Sequence, residues 1–172
     1  RLALQARHAT VLKIDFDSGH RAQVLAPENL YSWGYWLKHQ CRCLWGDDLA
    51  SQFAPFAPSR AIALAVNGDF AQVLASYAQR LDAERDPAVI VRLQREASRK
   101  LIRSCNLLRQ DGDSGWPASL DEHATQLLRS HPAMQAQIAY FLAQARPGAV
   151  PASGFAAALR AMTDWLATQL AS

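Results

Sequence analysis

After Pro27 the spacing of apolar residues changes from two to about 3.6, and it keeps that period to the end of the chain. Before that point Val11, Leu12, Ile14 and Phe16 alternate, Asp17-Ser18-Gly19-His20 offers a turn, and Ala22, Val24 and Leu25 follow. This pattern predicts a β-hairpin over 10–25, ended by Ala26-Pro27. Two strands alone are marginal in water, so the hairpin needs either the helices behind it or further strands.

The helical part divides at its own punctuation. Leu30, Trp33, Leu37, Cys41 and Leu44 mark one face of a helix expected to stop at Gly46. Ser59 is the predicted cap of a helix carrying Ile62, Val66, Phe70, Val73, Tyr77 and Leu81 on one side. Asp86-Pro87 opens the next helix and Asp111-Gly112 closes it. Ser119 and Glu122 form a capping box. His131, reading as a cap, restarts the chain at Pro132, and Ile138, Phe141 and Leu142 face inward as far as Arg146. A loop over 147–154 leads to the last stripe, Phe155, Leu159, Met162 and Leu166. The expected fold is mainly α, a bundle of five to six helices preceded by a β-hairpin.

Composition narrows the class. Of 172 residues 50% are hydrophobic and 19% charged, enough apolar surface for a core and too much for a disordered chain. No apolar run approaches the ~18 residues that would span a bilayer, so no membrane partner is expected. Three cysteines without secretory features read as free thiols in a reducing compartment, which points to the cytoplasm. The net charge of +3 suits phosphate-bearing ligands but does not single out nucleic acid.

Two groups of residues carry chemistry. Alternation puts Lys13, Asp15 and Asp17 on one face of the first strand, and paired carboxylates with substrate phosphates suit Mg²⁺. The plainer reading of the same face is a solvated edge. On the helix opened by Pro87, Arg92, Arg95, Arg99, Arg103 and Asn106 fall within about a quarter of the circumference. Leu93, Ala97, Leu101, Cys105 and Leu108 cover the other side, and Lys100 sits at the border. Four guanidiniums with only Glu96 among them repel one another, so a row facing phosphates stands beside the solvated reading. His39, Cys41 and Cys43 do not read as zinc ligands, because positions two apart on a helix diverge by about 200° and Cys41 fits the buried stripe. Trp33, Tyr35 and Trp36 read mostly as core or interface, with base stacking the lesser use.

Leu12-Lys13-Ile14-Asp15-Phe16-Asp17, the corner Trp45-Gly46-Asp47-Asp48-Leu49, and the run Arg99-Lys100-Leu101-Ile102-Arg103-Ser104-Cys105-Asn106-Leu107-Leu108 resemble bacterial nucleotidyltransferases of the DNA polymerase β-like superfamily. The similarity is to aminoglycoside-nucleotidyltransferase-like members with a helical C-terminal domain. It implies that residues 1–26 are the end of a catalytic α/β domain, whose sheet would hold the hairpin, and that residues 27–172 are the helical domain. It also implies metal-dependent transfer of a nucleoside monophosphate from a nucleoside triphosphate, such as ATP, to a hydroxyl acceptor. Asp15 takes the place of the family's third catalytic carboxylate, with Asp17 beside it as a Mg²⁺ ligand, and Arg99, Lys100 and Arg103 offset triphosphate charge. The departure is at the front: the family's Gly-Ser start and Asp-x-Asp pair do not occur before Asp15. The chain alone is therefore expected to bind a nucleoside triphosphate weakly if at all and to transfer nothing. The rival reading is a non-catalytic binding or scaffolding module whose basic helix meets an acidic partner or RNA.

Overall fold

The computed structural model describes residues 19–110, 113 and 115–171. Residues 10–18 of the expected hairpin, with Asp15 and Asp17, lie outside this range. Its second strand is not formed. Arg21–Val24 is a helical turn, α1, whose cap residue His20 accepts the Ala22 amide at 3.3 Å through Nδ1. No strand occurs among the described residues. The turn satisfies the Val24 and Leu25 amides on the carbonyls of His20 and Arg21 and buries Val24, a local solution that needs no partner strand.

A wide turn over Leu30–Gly34 runs into α2, Tyr35–His39. The expected continuation to Gly46 does not form. His39 instead turns its Nε2 to accept the Phe56 amide at 3.0 Å, and Gln40 bonds back to the Tyr35 hydroxyl. Cys41 and Cys43, weak helix formers, are then left outside and exposed, so Cys41 is no part of a buried stripe. Leu44 and Trp45 are almost fully exposed, and Gly46 turns the corner at φ 83°. Asp47 receives Arg21 at 2.8 Å, and Asp48 caps a short 3₁₀ turn, Leu49–Gln52.

Helix starts follow the capping chemistry. Ser59 Oγ accepts the Ile62 amide at 3.3 Å to open α3, Arg60–Asn67. Asp86 accepts the Ala88 amide at 2.8 Å to open α5, Pro87–Ser104. Ser119 accepts the Glu122 amide at 3.2 Å to open α6, Leu120–Ser130, while the Glu122 carboxylate reaches back to the Ala118 amide at 2.8 Å. The expected single helix after Ser59 is two, because Asn67-Gly68-Asp69 interrupts it, and α4 runs Phe70–Ala83. The helix from Pro87 also stops short of Asp111, passing into a 3₁₀ turn over Cys105–Leu108. His131 makes no side-chain cap; its Nδ1 meets Ser130 Oγ at 2.8 Å, and the chain re-enters helix through Pro132–Met134 into α7, Gln135–Ala145. The last helix, α8, spans Phe155–Ala171.

The bundle closes around α5, which packs on α4, α6 and α7, while α8 lies along α4. Ala78 and Ala97 are fully buried and let backbones approach; Leu74, Leu101, Ile138, Phe141 and Leu159 fill the space between. Gln94 is buried but satisfied, exchanging two hydrogen bonds with Ala152 at 3.1 and 3.2 Å and so fastening the 147–154 loop to α5. Burial fixes the rotation of α5. Turning it by a quarter would expose Leu93, Leu101 and Ile102 at about 2 kcal/mol each. A solvated ion pair returns less than about 1 kcal/mol, so the basic face stays where the core puts it.

Candidate anion-binding cleft

That rotation sends Arg99, Lys100 and Arg103 into one cleft of about 830 Å³. Its other walls come from α2 (Tyr35, Trp36, His39), from Phe56 and Pro58, and from the Trp116–His123 stretch that ends in α6. The three basic residues expected to face phosphate are thus brought together. Arg92 and Arg95 do not line the cleft, and the row continues past it along α5. Asn106, expected on the basic side, is buried instead, with neither amide atom hydrogen-bonded among the described residues. Asp15 and Asp17 lie outside the described residues.

The three cations are not equivalent. Lys100 Nζ meets Asp69 Oδ1 at 2.7 Å, a half-neutralised charge held by the interruption between α3 and α4. Arg99 and Arg103 take part in none of the ion pairs among the described residues, which join Arg21 to Asp47, Lys100 to Asp69, Arg146 to Asp121 and Arg160 to Asp82. Burial, and then the neighbouring Arg99, lower the Arg103 pKa. Both effects disfavour the positive charge on Arg103, and an anion in the cleft would offset them.

The aromatic wall is rigid by mutual contact. Tyr35 packs on Trp116 at 4.9 Å, on His39 at 5.3 Å and edge-on to Phe56 at 6.3 Å. Trp116 is in turn held by Arg109, whose guanidinium lies 5.2 Å from the indole centroid and donates to the Asp113 and Gly115 carbonyls at 2.7 and 3.2 Å. Burial lowers the Arg109 pKa, yet an arginine stays charged at neutral pH. The Asp113 carboxylate accepts the Gln110 amide at 2.9 Å and the Gln126 side chain at 2.8 Å, which hold its pKa down. Burial raises the Tyr35 pKa, so its hydroxyl keeps its proton.

His123 closes the floor. It is 8% exposed, and its Nδ1 is enclosed with no hydrogen-bond partner among the described residues. Burial first, and Arg103 second, push its pKa down to about 4, so the ring is neutral at pH 7. Cys105 is the one buried thiol among the described residues; burial pushes it up to about 12, which removes it as a nucleophile.

Sequence reading missed Arg109, Trp116, Phe56 and His123. His123 shares the helical phase of Leu120, Ala124 and Leu127, and that stripe was the available signal. The others sit in irregular segments, where periodicity carries nothing. The described residues contain no group of three or more His, Cys, Asp or Glu that could hold a metal ion. No described helix is long and apolar enough to cross a membrane. Comparison with family models, with curated proteins and with solved structures finds no match for this chain.

Proposed function

We propose that this chain is the helical, phosphate-facing part of a metal-dependent nucleotidyltransferase, and that the cleft receives the triphosphate of a nucleoside triphosphate such as ATP. The observation that carries this reading is the meeting of two guanidiniums without an ion-pair partner among the described residues, Arg99 and Arg103, with a third cation and an aromatic wall in one cavity. A volume of about 830 Å³ is within the range of small-molecule sites. In the reaction, a hydroxyl oxygen of the acceptor bonds to the α-phosphorus, the bond to the departing oxygen breaks, pyrophosphate leaves, and the hydroxyl proton passes to a base.

The part played by the described residues is binding. Arg99 and Arg103 offer planar donor forks to phosphate oxygens, and Lys100 contributes less because Asp69 already offsets it. Donors suited to Mg²⁺ are not gathered among the described residues. Asp15 and Asp17 keep the metal role in this proposal. Three free cysteines support a cytoplasmic setting.

Calorimetric titration with ATP and Mg²⁺ tests the reading. Binding is expected to be weak in this chain alone and to weaken further with added salt. It should fall by about tenfold or more in the Arg99→Ala/Arg103→Ala double variant, since hydrogen bonds to charged groups are worth about 1.5–3 kcal/mol each. Unchanged affinity in that variant would overturn it. The second reading, an acidic or RNA partner, is favoured by the continuation of the row through Arg92 and Arg95 outside the cleft. Salt-dependent RNA binding that requires Arg92 and Arg95, with no ATP binding, would replace the first reading with the second.

A further inference from the structure

The cleft is cationic on one side and aromatic on the other, and one aromatic does not belong to the wall's own packing. Tyr35, His39, Phe56 and Trp116 are all engaged with one another. Trp36 lines the same cleft, is 49% exposed, and has no ring, cation or hydrogen-bond partner among the described residues. An indole π-face gains from a neighbouring ring or cation, and the described residues supply Trp36 with neither. Trp36 follows Tyr35 directly on α2, whose position is fixed by Tyr35 on Trp116 and His39 on the Phe56 amide, so the indole is offered from a rigid support.

We infer that the cleft holds a planar-ring subsite in which Trp36 stacks on the base of a nucleoside polyphosphate whose phosphates meet Arg99 and Arg103. The inference deepens the nucleotide reading above and rests on it. It sets a division of labour. The arginines respond to any polyanion, whereas Trp36 responds only to the ring, so removing the ring from the ligand should have the same effect as removing the indole from the protein. Stacking is tolerant of base identity, so purine nucleotides should outrank pyrimidine ones by ring area rather than by hydrogen-bond pattern.

Two ligands separate the subsite from the phosphate site: ATP and inorganic tripolyphosphate, each titrated with Mg²⁺ into the full chain. The wild-type protein should bind ATP about tenfold more tightly than tripolyphosphate, a ratio matching one base–aromatic stack. In Trp36→Ala, ATP affinity should fall to the tripolyphosphate level while tripolyphosphate affinity is unchanged, and Trp36→Phe should restore most of the difference. Circular dichroism should show all three proteins folded alike, as expected for a half-exposed side chain. Equal binding of ATP and tripolyphosphate by the wild type would overturn the subsite and leave the phosphate reading standing. Equal loss for both ligands in Trp36→Ala would show that the indole shapes the cleft and does not stack. Failure of both ligands to bind the wild type would overturn the phosphate reading and the subsite together.

Discussion

His123 lies under Arg103 in the cleft floor, and both burial and that charge drive its proton off. The unfolded chain takes up a proton near the ordinary value of 6.5, whereas the folded chain does so only near about 4. Between those values the unfolded state holds a proton that the folded state lacks, so stability falls as pH is lowered through that window and levels off below it. Urea unfolding at pH 7 and pH 4.5 should show a loss of about 2 kcal/mol in the wild type. The loss should be clearly smaller in His123→Gln; an equal loss in both would show that His123 titrates normally. Residue roles of this kind were only partly legible. Arg99 and Arg103 could be placed together because a helix repeats in a known way, and their rotation followed from Leu93, Ala97 and Leu101 opposite them. The ion pair of Lys100 with Asp69 joins residues 31 apart in sequence, and nothing local announces it.

The helix starts at Ser59, Asp86 and Ser119 were legible, whereas the ends expected at Gly46 and Asp111 were not. A start is set by one side chain reaching its own backbone, as Ser59, Asp86 and Ser119 do, and such chemistry is written within three residues. An end depends on what the next residues find to pack against. The face Ile62, Val66, Phe70, Val73, Tyr77 and Leu81 keeps nearly one phase across the interruption at Gly68, so periodicity alone joins two helices into one. Gly68 is needed there: a Cβ on it would lie 2.6 Å from the Leu64 carbonyl oxygen, a backbone atom that cannot swing aside. Glycine-to-alanine changes in an open helix usually stabilise by about 1 kcal/mol. Gly68→Ala should instead destabilise by about 1–3 kcal/mol, the usual cost of forcing atoms into filled space. A raised Tm in that variant would show that α3 and α4 can merge into the single helix that the pattern suggests.

At the scale of the whole molecule, the bundle packs its apolar stripes around α5 and leaves the basic face of that helix opposite an aromatic wall. The mainly helical architecture was legible because Phe155, Leu159, Met162 and Leu166, like Ile138 and Phe141, are buried as their spacing requires. The second strand of the hairpin was not, since alternation over Ala22, Val24 and Leu25 is too short to distinguish a strand from a helical turn. The cleft was half legible: its cations share one helix, whereas its aromatic wall is assembled from three separate segments. Nuclear magnetic resonance of the isotope-labelled chain, titrated with ATP and Mg²⁺, examines both halves at once. A nucleotide-binding cleft predicts saturable shifts of the Arg99 and Arg103 side-chain signals and of the Trp36 indole, with Met134 and Trp165, in the apolar groove between α7 and α8, unmoved. Saturation with no shift at Arg99 and Arg103, or with the largest shifts at Met134 and Trp165, would contradict it.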